Sequence, residues 1–284
     1  MWTHTTSSPP GRSRSKNRYR IGRQAAVLAD GPDSRHLPAH AGRCRYYSRR
    51  RRRTGRNIRL LEKVKTAEEA LRDLRDGAVV MVGGFAGAGS PNQLCARLAE
   101  LGRRDLTIIS CDAGRAGLGV GILLRKGLVK TLIASHVGVN TEVAGRKPGD
   151  VTYDVDYQLI PQGTLVERIR AGGTGLGGVL TPVGLGTVVA ESKPTLELGG
   201  KTYLVETPLH ADFALIRGSV VDRSGNIFYN MSTRNFNPAM ALAADHVIVG
   251  AERVVEVGEI DPNHVMTPGI LVESIVEGEQ PCWI

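Results

Sequence analysis

Short apolar runs recur along the chain, and glycine-rich or polar turns separate them. Runs of this length are typical of buried strands, and they are residues 78–82, 106–110, 131–135, 158–160, 201–205, 213–216 and 246–249. Apolar residues at helical spacing predict helices over residues 66–76, 92–101, 122–126, 140–144, 165–171 and 237–244. This alternation predicts an α/β fold with an open, mostly parallel sheet and helices on both faces.

One stretch departs from that alternation. Val220-Val221 and residues 227–229 flank a polar turn whose Gly225 can adopt positive φ, so they predict a small added β-hairpin. We find no internal repeat and no linker in the body of the chain. The predicted organisation is a basic extension over residues 1–58, one domain over 59–276 and a C-terminal tail over 277–284.

The stretch from Asp76 to Pro91 organises the rest of the chain. It contains a turn, the first predicted strand, a glycine-rich loop from Gly83 to Gly89, and Ser90 as predicted N-cap with Pro91 as first helical residue. Such a junction lets backbone amides approach an anionic ligand. The alternative is an ordinary strand-to-helix turn, in which the glycines serve only close packing.

Charge is distributed unevenly along the chain. Residues 1–56 hold 15 Lys and Arg against two acids, a net charge of +13, whereas the remainder is mildly acidic at −4. The acidic body gives no reason to expect nucleic-acid binding. The extension itself has three interpretations: a disordered segment without function, an organellar transit peptide, or a nucleic-acid arm that nothing in the body supports.

Composition also limits the compartment and the cofactors. No apolar run approaches the ~20 residues that span a bilayer, so we expect a soluble protein without membrane partners. The four cysteines show no Cys-x-x-Cys pair and no metal-ligand spacing, and they are Cys44, Cys95, Cys111 and Cys282. We therefore expect reduced thiols, no metal, and a cytoplasmic location, or the mitochondrial matrix if residues 1–58 are a transit peptide.

Ordered motifs between residues 62 and 276 carry a family resemblance. Beyond the glycine stretch they are Pro161-Gln162-Gly163-Thr164-Leu165, residues 168–173, 181–187 and 211–215, Gly225-Asn226, Arg234-Asn235-Phe236-Asn237-Pro238 and Thr267-Pro268-Gly269. The chain resembles the alpha subunit of the family I coenzyme A transferases, nearest to the bacterial acetate and acetoacetate enzymes. The resemblance implies a CoA-transferase alpha domain of NagB/RpiA-like fold over residues 59–276.

The resemblance also implies the chemistry. CoA would pass between a short-chain acyl-CoA or 3-oxoacyl-CoA and an acid such as acetate, acetoacetate, butyrate or succinate, through a glutamyl-CoA thioester. The family's nucleophilic Glu lies in a Ser-Glu-x-Gly context on the beta subunit, and this chain lacks that context. We therefore expect no catalytic residue here, no tightly bound cofactor, CoA thioester as substrate, and an inactive chain without its beta subunit, in an α2β2 assembly.

The resemblance assigns supporting roles within this chain. The expected CoA contacts are the loop residues Gly83, Gly84, Phe85, Ala86, Gly87, Ala88 and Gly89. Gln162 matches a position whose amide lies near the substrate oxyanion, although it could be only a turn residue. Cys111 stands where the family often has Asn, and because a thiol is a weak donor, this oxyanion contact is in doubt.

Other polar residues have structural interpretations. Glu167, Arg168 and Arg170 predict a solvated helix face with local ion pairs, and the alternative is that they bind a carboxylate or phosphate. His136 and His210 are expected to be structural, and Asn237 is predicted to cap the last helix. Three other functions remain open: part of a dicarboxylate CoA-transferase of the 3-oxoadipate type, a non-catalytic binding protein of the same fold, and a sugar-phosphate isomerase, for which no acid–base motif is found.

Overall fold

The structure is a computed structural model that describes residues 62–280. The predictions for the basic extension, for Cys44 and Cys282, and for the last four residues of the tail fall outside the described residues. Within residues 62–280, no helix is both long enough and apolar enough to cross a bilayer.

Helices and strands alternate through most of the described chain. The helices are α1 (Ala67–Leu71), α2 (Asn92–Leu101), α3 (Val120–Arg125), α4 (Thr141–Ala144), α5 (Gln162–Thr174) and α6 (Asn237–Leu242). The strands are β1 (Val79–Val82), β2 (Leu106–Ser110), β3 (Val129–Ala134), β4 (Asp156–Leu159), β5 (Val179–Thr181), β6 (Thr195–Leu198), β7 (Lys201–Glu206), β8 (Ala211–Gly218), β9 (Val220–Asp222), β10 (Ile227–Phe228), β11 (Ala244–Ala251), β12 (Val254–Val255) and β13 (Ser274–Glu277).

Seven of these strands form the main sheet, in the order β13-β11-β8-β1-β2-β3-β4. Every neighbouring pair is parallel, which confirms the predicted sheet type. Successive residues of a strand point to opposite faces, so Val80 and Val82 join one buried cluster while Met81 joins another. The first cluster includes Leu98 of α2 and the second includes Ile169 of α5, so helices cover both faces as predicted.

The hairpin is also confirmed. β9 and β10 pair antiparallel, and β12 pairs with β9 in a small three-stranded sheet. The Asp222 carboxylate stabilises the turn because its Oδ1 accepts the backbone N–H groups of Ser224 and Asn226, at 2.9 and 3.0 Å. Gly225 has φ +94°, as the turn prediction requires.

Helix ends differ from the prediction in several places. α1 has the expected capping box between Thr66 and Glu69 but ends at Leu71, before Asp76-Gly77. α5 begins at Gln162, three residues earlier than predicted. The predicted N-cap of α2 is wrong: Pro91 holds that position and makes no side-chain cap bond. Ser90 is instead buried against the glycine loop.

Four strands were missed, namely β5, β6, β12 and β13. β5, β7 and β6 form a separate antiparallel sheet, of which only β7 was predicted. β6 was not predicted because its sequence, Thr-Leu-Glu-Leu, contains no continuous apolar run, and all four residues are exposed. β13 lies at the edge of the main sheet and ends at Glu277, so the predicted tail begins inside a strand. Glu279, two residues further on, is buried.

Candidate functional site

The glycine loop lies where the order of the main sheet reverses. From β1 the chain continues to β2, β3 and β4 on one side, and later adds β8, β11 and β13 on the other. In open parallel sheets, ligands bind outside the carboxyl ends of the strands at such a reversal. The loop follows β1, Cys111 follows β2 and Gln162 comes shortly after β4, so the topology brings all three to one edge.

The loop is a tight turn held by its own backbone. Phe85 and Ala88 exchange two hydrogen bonds, of 2.9 Å from the Phe85 N–H and 2.8 Å from the Ala88 N–H. Ala86 at the tip has φ +49°, an uncommon conformation for a residue with a Cβ. Asp112 supports it, because Oδ2 accepts the Ala86 N–H at 2.7 Å and Oδ1 accepts the Gly114 N–H at 2.8 Å. The Asp112 carboxylate is therefore buried and bonded through both oxygens.

These bonds restrict which loop amides remain for a ligand. The N–H groups of Phe85, Ala86 and Ala88 are already bonded within the turn or to Asp112, and the Gly83 N–H bonds the Leu215 carbonyl at 2.9 Å. Within residues 62–280, the N–H groups of Gly84 and Gly89 have no bonded acceptor. The contact of the seven loop residues with CoA stays a prediction, and the N–H groups of Gly84 and Gly89 are available for it.

Gln162 and Cys111 lie in contact although 51 residues separate them. The Gln162 side-chain amide donates from Nε2 to the Cys111 Sγ at 3.4 Å. Cys111 is 1% exposed, whereas Gln162 is exposed at the N-terminus of α5. The sulfur therefore lies behind the amide, where it orients Gln162 and is shielded from solvent.

The surroundings of Cys111 keep its thiol protonated. Burial, reinforced by the negative charge of Asp112, raises the pKa of Cys111 to about 11. Its neighbour Ser135 donates to the Cys111 carbonyl at 2.6 Å and lies 3.1 Å from Nδ1 of His136. A protonated, buried thiol is a poor nucleophile. Among residues 62–280, no group of three or more His, Cys, Asp or Glu side chains could hold a metal ion.

Sequence reasoning misassigned Asn237. Phe236 is the N-cap of α6, and Asn237 makes no cap bond. Its side chain is fully buried and contacts the glycine loop instead. Nδ2 donates to the carbonyls of Gly89 at 3.1 Å and Thr233 at 2.7 Å, and Oδ1 accepts the Arg217 N–H at 3.1 Å. The Arg-Asn-Phe-Asn-Pro motif was visible, but its contact with the loop spans 148 residues.

A second missed group anchors the far end of the loop. Arg217 on β8 is fully buried, donates from Nη1 to the Ser90 carbonyl at 3.1 Å, and pairs with Glu252 at 2.8 Å. Its Nη1 also lies 3.8 Å from Oε2 of Glu279. Burial raises the pKa of Glu279, and the Arg217 charge partly offsets this rise.

Glu279 supplies the cap that α2 lacks. Its Oε1 accepts the backbone N–H of Gln93 at 2.9 Å and that of Leu94 at 3.4 Å, near the N-terminus of α2. A carboxylate at this position satisfies otherwise unbonded donors and interacts favourably with the helix dipole. The segment after β13 is therefore part of the frame of the site.

The charged face predicted on α5 is partly wrong. Glu167 and Arg170 form the expected exposed pair, at 3.1 Å. Arg168 is 15% exposed and instead bonds the Thr207 carbonyl at 2.7 Å and lies 3.5 Å from the buried Glu206. Glu206 also pairs with Lys193 at 2.7 Å, so this cluster joins α5 to the sheet of β5, β6 and β7. His210 is exposed.

Comparison with known proteins shows the family to which the chain belongs. Residues 64–278 match the family model described as Coenzyme A transferase, and the chain belongs to that family. Over 218 residues it is 48% identical to the alpha subunit of the acetate CoA-transferase of Escherichia coli (strain K12), covering 77% of this chain and 98% of that protein. The resemblance stated from sequence is thus confirmed, as is the class of enzyme.

Two further similarities extend the picture. The chain is 44% identical over 218 residues to one of the subunits of the 3-oxoadipate CoA-transferase of Acinetobacter baylyi (strain ATCC 33305 / BD413 / ADP1), covering 74% of this chain and 92% of that protein. A solved acyl-CoA transferase from Escherichia coli O157:H7 shares the fold, with a TM-score of 0.64 at 22% identity. That match covers 78% of this chain but only 48% of the solved chain.

Proposed function

We propose that this chain is the alpha subunit of a heteromeric CoA-transferase, which moves CoA between a short-chain acyl-CoA or 3-oxoacyl-CoA and a carboxylic acid. The supporting observation is the match, at almost half identity, across nearly the whole length of the alpha subunit of an acetate CoA-transferase. The carboxylate that hydrogen-bonds the glycine loop, Asp112, is buried with both oxygens bonded, so it is unsuited to attack a thioester. The nucleophile would come from a beta subunit.

In this proposal a partner glutamate attacks the acyl thioester carbon, and the C–S bond breaks to release CoA thiolate and an acyl–glutamyl anhydride. The thiolate then attacks the glutamyl carbonyl of the anhydride, which frees the first carboxylic acid as its anion and leaves a glutamyl-CoA thioester. The second acid reverses both steps. Each tetrahedral intermediate carries a negative oxygen that a preorganised N–H donor stabilises.

This chain would supply those donors. The Gln162 amide is exposed, does not titrate, and is oriented by its bond to Cys111. Within residues 62–280 the N–H groups of Gly84 and Gly89 have no bonded acceptor, so both are available as loop donors. We assign Gln162 to the oxyanion and the glycine loop to the CoA moiety, with Cys111 as support behind Gln162.

The test is co-purification of the full chain with its beta subunit, followed by transfer assays from acetyl-CoA to acetoacetate, butyrate and succinate. The complex should transfer CoA, whereas this chain alone should not. Borohydride treatment of the complex in the presence of acetyl-CoA should reduce a glutamyl thioester on the partner and leave this chain at its original mass. A complex that transfers CoA to none of these acids would contradict the proposal. Native mass measurement would test the α2β2 assembly.

The similarity to a 3-oxoadipate enzyme supports a second candidate, a CoA-transferase of dicarboxylic acids. Adding the substrate pair succinyl-CoA and 3-oxoadipate to the same assay distinguishes transfer to short-chain acids from transfer to dicarboxylic acids. A kcat/KM for that pair well above those for acetate and butyrate would favour the dicarboxylate function. A complex that binds acyl-CoA without turnover would instead favour a non-catalytic binding protein of this fold.

A further inference from the structure

The side chain of Asn237 fills a space that only glycine at position 83 leaves open. A Cβ placed on Gly83 would lie 1.8 Å from Asn237 Oδ1 and 2.7 Å from its Cγ. The nearest atoms around that point all belong to the Asn237 side chain beyond its Cβ. Because Gly83 has no side chain, the Asn237 side chain can pack against the base of the loop.

The bonds of Asn237 link separate segments at that point. One N–H holds the Gly89 carbonyl at the end of the loop, the other holds the Thr233 carbonyl, and Oδ1 accepts the Arg217 N–H of β8. Asn235, two residues earlier, adds a bond from Nδ2 to the Ala88 carbonyl at 3.0 Å. At the other end of the loop the Gly83 N–H bonds the Leu215 carbonyl of β8, so both ends are fixed to the half of the sheet that contains β8.

Arg217 extends this connection to the C-terminal segment. Its guanidinium holds the Ser90 carbonyl, donates to the carbonyl of Gln280, and balances Glu279 at the N-terminus of α2. A fully buried Arg is costly unless it is paired and bonded on several sides. Because Arg217 has these partners on several sides beneath the loop, it constrains the position of the loop end at Ser90.

We propose that Asn237 is a positioning residue, which holds the Gly84 and Gly89 N–H groups in the orientation that the CoA-transfer site uses, with Arg217 and Glu279 fixing the adjoining helix. Its effect passes through the loop, since Asn237 is buried and does not touch substrate. The activity part of this inference rests on the proposed function. The structural part, that Asn237 orders the loop, does not.

The sharpest test exchanges volume between the two positions. In Asn237→Asp the side chain keeps its size and its acceptor for the Arg217 N–H but loses both N–H donors. In Gly83→Ala the added methyl collides with Asn237. In the double variant Gly83→Ala/Asn237→Ala the methyl occupies the space that the Asn side chain vacates, and the bonds to Gly89 and Thr233 are not replaced. Asn226→Ala is the control, because Asn226 bonds Asp222 and Gly269 in the hairpin region.

Three measurements are made on the full chain in complex with its beta subunit. Amide hydrogen exchange over residues 84–90 should accelerate at least about tenfold in Asn237→Asp and in the double variant, and remain unchanged in Asn226→Ala. The kcat for CoA transfer should fall about 10²-fold in Asn237→Asp and in the double variant, with a smaller change in the KM for acyl-CoA. A misplaced N–H donor acts mainly on the transition state, which is why kcat changes more than KM. The melting temperature of the double variant should exceed that of Gly83→Ala.

A space-filling role for Asn237 predicts the opposite for kcat and for hydrogen exchange. The double variant would then regain kcat together with its melting temperature, and exchange in Asn237→Asp would match the wild type. Either result overturns the proposal. If the wild-type complex shows no CoA transfer, the proposed function fails, yet the exchange comparison still decides whether Asn237 orders the loop.

Discussion

The two halves of the main sheet contribute to the site in different ways. The half from β1 to β4 carries Gln162, Cys111 and the glycine loop, which present polar groups at the carboxyl edge. The other half consists of β8, β11 and β13. It contributes Arg217 from β8, Asn237 from the connection between β8 and β11, and Glu279 from the segment after β13, and all three side chains are buried. One half thus supplies the groups expected to meet the ligand, and the other holds them in place.

This difference has a physical basis. Side chains that contact a ligand must reach solvent. Because exposed side chains contribute little to the free energy of unfolding, replacing them changes the stability of the protein little. Groups that hold a loop must be buried and fully bonded, because an unsatisfied buried donor costs about 1–3 kcal/mol and an unpaired buried charge more. Substitutions of the buried groups should therefore affect stability first, and substitution of an exposed group such as Gln162 should affect activity alone.

The largest expected effect follows from Arg217→Met. Removing the guanidinium leaves Glu279 buried without its cation and frees the Ser90 carbonyl, so the free energy of unfolding should fall by about 3–5 kcal/mol in urea titration. Arg170→Met is the matched control: its pair with Glu167 is about half exposed, and the loss should stay below about 1 kcal/mol. Equal losses would mean that the buried cluster does not stabilise the loop region.

Gly89→Ala should rank second. Gly89 has φ +64°, and an added Cβ would lie 2.9 Å from the Thr233 Cα and carbonyl oxygen. Gly102 has φ +67° with no atom within 4 Å, so Gly102→Ala measures the backbone cost alone, about 1–2 kcal/mol. The loop variant should cost about 1–3 kcal/mol more, from overpacking. A matching loss in the two variants, measured by thermal unfolding, would show that the close approach to Thr233 carries no energy.

Gln162→Ala should separate activity from stability. The amide is exposed, so the melting temperature should change little, whereas kcat of the complex should fall about 10²–10³-fold if Gln162 stabilises the oxyanion. Gln158→Ala on β4, whose amide bonds the exposed Asp156, serves as the control with kcat unchanged. A Gln162 variant with normal kcat would remove this residue from the site.

The smallest effect concerns alkaline pH. Because burial raises the pKa of Cys111 to about 11, the unfolded chain loses this proton at lower pH than the folded chain. The stability from the protonated thiol is therefore complete below pH ~9 and declines, by about 1.4 kcal/mol per pH unit at most, as pH rises towards 11. Cys111→Ala should flatten the fall of the urea midpoint between pH ~9 and ~11. A slope unchanged by the substitution would contradict the shifted pKa.

Local pattern predicted much of the first half. Runs such as residues 106–110 became strands at the expected positions, because a buried parallel strand requires a short continuous apolar run. The capping box at Thr66 was likewise readable, since both of its partners lie within one turn. The ordered motifs were sufficient to identify the family, which the comparison confirmed.

What the sequence determined by itself was therefore local: which continuous apolar runs form buried strands, which segments form helices, and which motifs they carry. The tertiary structure decided the rest. It placed the carboxylate of Glu279 at the start of α2, where Ser90 was expected to serve, and it brought Asn237 to the glycine loop 148 residues away. A buried donor or charge takes whatever partner the fold brings within reach, and sequence spacing does not encode that distance.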